Sequence, residues 1–319
     1  MSAPANPTAG RPNLDVFADT LLELARADRD ILAVTSDSRG SGRLTAFATA
    51  LPAQLVEVGI AEQDLVGIAA GLASAGKKPF AVSPACFLTA RALEQIKNDV
   101  AYSDNPVRLV GISAGVSYGA LGATHHSLHD LAALRAIHHL AIVVPADTFE
   151  TRQAVLAAVA RNRPVYLRFG KAPMPHLYGE GAMFEIGRAN IVYNGGDAAF
   201  IATGEAVHPA LEAARQLAAE GIRCRVVSMH TIQPLDRQAI LDAGHTAAVV
   251  TVEEHSVHGG LGEACAAVLL EGGARCRFAI AGLPDAPTFH GSQRDIFAHH
   301  GLSGEALAAT MRRLLREGA

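Results

Sequence analysis

The stretch VEVGIAEQDLVGIAAGLASAG, residues 56–76, sets a carboxyl, Glu62, at the head of a segment built mostly of Gly, Ala, Ile, Leu and Val. An acid in a helix's first turn is favoured by the positive end of the macrodipole, by about 0.3–1 kcal/mol, and that alone would account for it. The residues that follow suggest more, because Gly67, Ala70, Gly71, Ala73 and Ser74 give the helix small faces where another backbone can come close. A carboxyl buried under such packing loses its hydration and takes a proton unless a cation pairs with it. A neutral acid can donate a hydrogen bond to a ring nitrogen.

Other residues carry chemistry by type and spacing. Phe87, in SPACFLTARALEQI, is either core or a ring for a flat ligand, an offset stack being worth about 0.5–1.5 kcal/mol beyond burial. GATHHSLHD holds His125, His126 and His129, the first and last spaced so that a helix would turn both imidazoles to one metal. No cysteine or H-E-x-x-H frame accompanies them, so we expect no metal ligands in this chain. The alternative is a helix capped at Thr124 with solvated histidines. Arg168, in YLRFGK, ends a strand where its planar guanidinium suits a phosphate or carboxylate, or else forms a surface ion pair of little worth. Ser41 and Arg43, in TSDSRGSGR, are candidates for the same anion. EEHSVHGGLGEA lacks the G-x-G-x-x-G frame of a dinucleotide site and is assigned no chemistry.

The elements that must position these groups alternate. Short β-type runs at 31–35, 55–58, 79–83, 107–112, 140–144 and 164–168 are separated by helical patterns at 14–27, 60–75, 87–102, 127–137 and 148–161. The segment GKAPMPHLYGEGAMFEIG, rich in Pro and Gly without periodicity, reads as a linker. A second series follows, with strands at 198–203, 223–229, 247–252 and 277–282 and helices at 206–220, 235–243, about 260–271 and 304–316. The fold class is α/β, two doubly wound domains with mainly parallel sheets. At 319 residues the chain suits two domains of about 150 residues.

A net charge of −4 and the lack of any Lys/Arg run argue against a nucleic-acid partner. No apolar run reaches the ~18 residues of a membrane span, and the Pro/Ala/Gly-rich residues 1–11 read as a disordered tail, not a signal peptide. Four cysteines, far apart and without a C-x-x-C pair, suggest a reduced, cytoplasmic protein.

The segments VGIAEQDLVGIAAGLA, ARALEQIKNDVAY, GATHHSLHDLAALR, VVPADTFETRQAV, VYLRFGK, MHTIQPLD and VTVEEHSVHGGLGEA resemble, in this order, the C-terminal half of a transketolase-family protein, from about residue 12 to 317. The resemblance implies a pyrimidine-binding domain over 12–170, a linker over 171–187 and a transketolase C-terminal domain over 188–319, with thiamine diphosphate as cofactor. Glu62 then matches the family's activating glutamate, which protonates the aminopyrimidine so that its imino tautomer can deprotonate the thiazolium carbon. Phe87 matches the ring that packs on the aminopyrimidine, and His125 the histidine that contacts the donor's oxygens. Arg168 takes a position that binds an anionic substrate end, with Ser41 a weaker candidate.

Three positions depart from the family pattern. Pro84 stands where a second aromatic is common, and Ser113 where many relatives have histidine. Leu121 replaces the aspartate that binds a substrate hydroxyl in sugar-phosphate transketolases. Leucine offers no acceptor, which would disfavour a polyol by about 1–3 kcal/mol if its hydroxyl were left unpaired. A less hydroxylated, non-sugar acceptor is therefore expected.

No GDG motif occurs, so by resemblance the cofactor's diphosphate and its Mg2+ would be held by a separate N-terminal, diphosphate-binding subunit, in an α2β2 assembly. The expected activity is transfer of a two-carbon ketol unit from a ketose phosphate to an aldehyde. Open alternatives are the beta subunit of a 2-oxoacid dehydrogenase's decarboxylating component, a half-chain resembling deoxyxylulose-phosphate synthase, and a non-catalytic interaction subunit.

Overall fold

The computed structural model describes residues 10–179, 181–287 and 289–316. Of the tail expected over 1–11, residues 1–9 lie outside the described residues. The first half runs α1 (Asn13–Ala27), β1 (Ile31–Thr35), α2 (Thr45–Ala50), β2 (Leu55–Glu57), α3 (Glu62–Ser74), β3 (Lys78–Pro84), α4 (Ala85–Arg91), α5 (Leu93–Gln95), β4 (Arg108–Ile112), α6 (Asp130–Arg135), β5 (Ala141–Val143), α7 (Thr148–Ala160) and β6 (Val165–Arg168). The second runs β7 (Asn190–Tyr193), β8 (Ala198–Ala202), α8 (Val207–Ala219), β9 (Cys224–Ser228), β10 (Thr231–Gln233), α9 (Arg237–Ala243), β11 (Ala248–Ser256), α10 (Leu261–Glu271), β12 (Arg277–Leu283), α11 (Gln293–His299) and α12 (Gly304–Arg316).

Two sheets result, ordered β10-β5-β6-β4-β3-β1-β2 and β12-β11-β8-β9-β7. Their ladders are parallel except β10 against β5 and β7 against β9. Strands such as RLVGI in β4 and AAFIA in β8 are buried at every residue, as parallel strands covered on both faces must be. The helix expected over 87–102 is broken: α4 and α5 give way to a π-helical turn, Ile96–Tyr102, which keeps Ile96, Val100 and Ala101 in the core while Tyr102 stays exposed. At the start of α7, the Asp147 carboxylate accepts from the Glu150 amide, a side-chain cap.

The halves are not independent. β10 belongs to the second half in sequence, yet it closes the edge of the first sheet, with Thr231 opposite Val143 and Gln233 opposite Ile142. The Val144 amide also donates to the His230 carbonyl at 2.7 Å. One apolar core runs from Leu65, Val66 and Leu88 through Leu131 and Val144 to Ile201, Met229 and Ile232. Two further clusters cover the outer faces of the sheets.

Candidate active site

Glu62 is the first residue of α3 and is 4% exposed. Both its oxygens accept from one nitrogen of Arg91, Nη1, at 3.0 and 2.9 Å. A cation paired with this carboxyl is therefore present, supplied by α4. Arg91 lies one turn after Phe87, so its side chain leans back over that ring, with Cζ 4.3 Å from the centroid. Phe87 meets His125 edge-on at 5.3 Å, and His125 meets Tyr118 edge-on at 5.2 Å. The Lys171 ammonium sits 4.2 Å above the Tyr118 ring. Six side chains thus form one continuous ladder: Glu62, Arg91, Phe87, His125, Tyr118, Lys171. Its acid end opens into a pocket of about 570 Å³ lined by Ile60, Ala61, Glu62, Gln63, Asp64 and Arg91.

The three histidines do not converge. His125 lies between the two rings, His126 Nε2 bonds to the Gly119 carbonyl at 2.9 Å, and His129 Nε2 to the Thr89 hydroxyl at 3.3 Å. Nor does a helix start at Thr124, because Gly119–Thr124 is a 3-10 segment and α6 begins at Asp130. Leu121 lies on that segment, 54% exposed. The Ser41 hydroxyl is turned inward to the Ser38 carbonyl at 3.1 Å, and Arg43 pairs with Asp15 at 2.9 Å. Burial, then the charge of Arg43, lower the Lys171 ammonium.

Arg168 lies elsewhere than its type suggested. It is 5% exposed; its Nε donates to Asp130 at 2.7 Å, and its Nη2 to the Ser127 and Glu254 carbonyls at 3.1 and 3.0 Å. Burial alone would raise Asp130, but the guanidinium overrides it and leaves that carboxyl below the usual range. The Tyr166 hydroxyl adds a bond to the same carboxylate at 2.8 Å. The guanidinium expected to hold a substrate anion is thus engaged inside the chain, because a buried arginine must be neutralised where it stands.

Beside this pair, the second half presses two more acids against the first. The Cβ of any larger residue at Gly115 would run into Glu254, and at Gly170 into Glu205. Gln293 Nε2 donates to Glu205 Oε2 at 2.7 Å and to Glu254 Oε1 at 2.9 Å. Burial, then the charge of Glu254, raises Glu205, and burial raises Glu254 against the opposing pull of Arg168. Sequence reasoning passed over Arg91, Tyr118, Lys171, Glu205 and Glu254. Only Arg91 left a signal, its one-turn spacing from Phe87.

The outer face of α3 is open. A Cβ added at Gly67 or Gly71 would meet nothing within 4 Å. Ala70 and Ala73 pack inward, while Ile60, Ile68 and Tyr102 are 74%, 40% and 76% exposed.

Residues 12–175 match the family model described as transketolase, pyrimidine binding domain, and residues 187–307 the one described as transketolase, C-terminal domain. The chain is 51% identical over 296 residues to an apulose-4-phosphate transketolase subunit of Phocaeicola vulgatus, covering 92% of this chain and 94% of the relative. It is 38% identical over 258 residues to a 6-deoxy-6-sulfo-D-fructose transketolase subunit of a Clostridium species, covering 81% and 80%. A solved structure described as a split gene transketolase, inactive beta4 tetramer, aligns with a TM-score of 0.85 at 35% identity, covering 96% of this chain and 98% of that one. Thiamine diphosphate dependence is general in this family. With both domain models matched in order and relatives aligned along nearly their whole length, the chain belongs to the transketolase family and is a transketolase-type transferase subunit of a split enzyme.

Proposed function

We propose that this chain activates thiamine diphosphate for transfer of a two-carbon ketol unit from a ketose with an anionic end to an aldehyde, together with a separate diphosphate-binding subunit. The observation that carries this reading is the ladder: Glu62, Phe87 and His125 come from different parts of the sequence and are joined through Arg91, with Glu62 at the pocket end. A buried acid beside a flat apolar ring fits the aminopyrimidine end of the cofactor. When bound, the cofactor supplies a nucleophilic carbon for breaking the bond beside a ketone. Glu62 gives its proton to the pyrimidine nitrogen, Phe87 holds the ring by stacking, and His125 faces the donor's oxygens. Lys171 and Arg43 take the anionic end in place of Arg168, with Ser41 in the same loop as Arg43, and Leu121 bounds the acceptor side.

The named substrates of both relatives carry an anionic group, a phosphate in one and a sulfo group in the other, which supports an anion at the basic end of the ladder. We assign Mg2+ and the diphosphate to the partner subunit, in a cytoplasmic α2β2 assembly with the C-terminal domains contributing contacts. Among the described residues no helix is long and apolar enough to cross a membrane. The open face of α3 supports close partner contact, and the solved relative made of beta chains alone is described as inactive.

A stack and one hydrogen bond supply about 2–4 kcal/mol gross, which allows millimolar cofactor binding at best by this chain alone. Calorimetric titration of thiamine diphosphate and magnesium into the chain alone, and into the chain with its partner, tests this, followed by ketol-transfer assays with apulose 4-phosphate as donor. Tight binding and turnover are expected only in the assembly. Micromolar binding and transfer by the isolated chain would sink the split reading.

A further inference from the structure

We propose that Arg91 is an internal occupant of the pyrimidine site, covering Glu62 and Phe87 until an incoming ring displaces it, and so setting this chain's affinity for the aminopyrimidine. The inference rests on the pocket being the pyrimidine site. Two surfaces serve a pyrimidine in that reading, the carboxyl of Glu62 at the pocket and the flat face of Phe87 beneath Arg91. Arg91 engages both at once, with Cζ 4.3 Å over the ring and Nη1 at 3.0 and 2.9 Å from the carboxyl oxygens. A guanidinium imitates the ligand: it is planar, it stacks on an aromatic face, and its N–H groups lie on its rim. One ring face cannot hold both groups.

The pairing also sets the direction of hydrogen bonding. While the Glu62 carboxylate accepts from Arg91 it is an acceptor, whereas activation needs it as a donor. Displacing Arg91 therefore makes room for the ring and frees both Glu62 oxygens in a single movement, the proton that Glu62 then donates being taken up from solvent through the open pocket. The side chain is able to move, being 47% exposed while Glu62 is 4% exposed. Asp64 lies on the same pocket rim and offers the displaced cation a solvated counter-charge.

The test compares wild type, Arg91→Gln and Arg91→Lys as full-length chains. 4-Amino-5-hydroxymethyl-2-methylpyrimidine is titrated by calorimetry into each chain alone, and thiamine diphosphate into each chain with its partner. Arg91→Gln is expected to bind the pyrimidine about tenfold more tightly than wild type, with Arg91→Lys in between. In wild type, the Arg91 side-chain resonances should shift to solvent-exposed values on saturation. Equal or weaker pyrimidine binding by Arg91→Gln overturns the proposal while leaving the cofactor reading intact, provided the assemblies bind thiamine diphosphate. If no assembly binds it, the cofactor reading fails and this inference falls with it. Should Arg91→Gln not fold by circular dichroism, Arg91→Lys carries the comparison, with the same sign and a smaller gain.

Discussion

Replacing Glu205 by Gln should make the protein more stable at alkaline pH than the native chain. Gln293 Nε2 contacts Glu205 and Glu254 at 2.7 and 2.9 Å, so the two carboxyls lie within about 6 Å of each other. Two full charges at that separation repel by roughly 3 kcal/mol at an effective dielectric of ~20. Burial and this repulsion raise Glu205 in the folded chain, which therefore keeps a proton that the unfolded chain releases near the ordinary glutamate value. A raised pKa contributes stability that is fully present below the unfolded value and is lost as pH rises through the folded one. For one retained proton the loss is about 1.4 kcal/mol per pH unit between roughly pH 5 and pH 8. Glu205→Gln is neutral throughout and still offers Gln293 an acceptor, so it removes this slope. Glu253, which burial pushes up to about 7, Asp147, pushed by burial to about 6, and His255, lowered by burial to about 4, titrate in both proteins and cancel in the difference. Scanning calorimetry should show near-equal Tm at about pH 5 and a gain of roughly 5–10 °C for the variant at about pH 8. Parallel pH profiles for the two proteins would refute the retained proton on Glu205.

Glu62→Gln should leave folding and cofactor binding by the assembly intact while removing nearly all turnover, a loss of several kcal/mol in the barrier; near-normal steady-state rates would return Glu62 to a helix-dipole role. Leu121→Asp should shift acceptor preference about 10–100-fold toward sugar phosphates, read as kcat/KM across an aldehyde panel, and an unchanged ranking would place the side chain away from the acceptor. Arg168→Ala should cost about 3–5 kcal/mol of stability in urea unfolding, because it strands Asp130 in the interior. A raised KM with unchanged stability would instead restore Arg168 as a substrate ligand.

The regular elements were legible because period and burial agree. Buried parallel strands are short apolar runs, and helices such as α7 and α12 start or end near recognisable caps and charges. β10 was not legible: Thr231–Gln233 is too short for a period, and what makes it a strand is the open edge of β5, far away in sequence. In the site, Glu62, Phe87 and His125 could be singled out by residue type and resemblance, whereas Arg91, which joins Glu62 to Phe87, could not. Arg168 misled because a strand-end arginine looks the same whether it faces solvent or an interior acid. Asp130, its partner, lies 38 residues away. Glu205 and Glu254 were hidden for the same reason, since only the packing of the second half, where the turn after β8, β11 and the start of α11 come together, brings them to one glutamine.

The strand β10 makes the second half a donor to the first. A fragment ending in the linker would leave Ala141–Val143 as a bare sheet margin, its amides and carbonyls ready to pair with any extended chain nearby. In the native protein that margin is filled in cis, and Val144 is held by His230 just beyond it. A nick in the linker should therefore yield two pieces that remain complementary, whereas the first piece made alone would seek the missing strand in a neighbour.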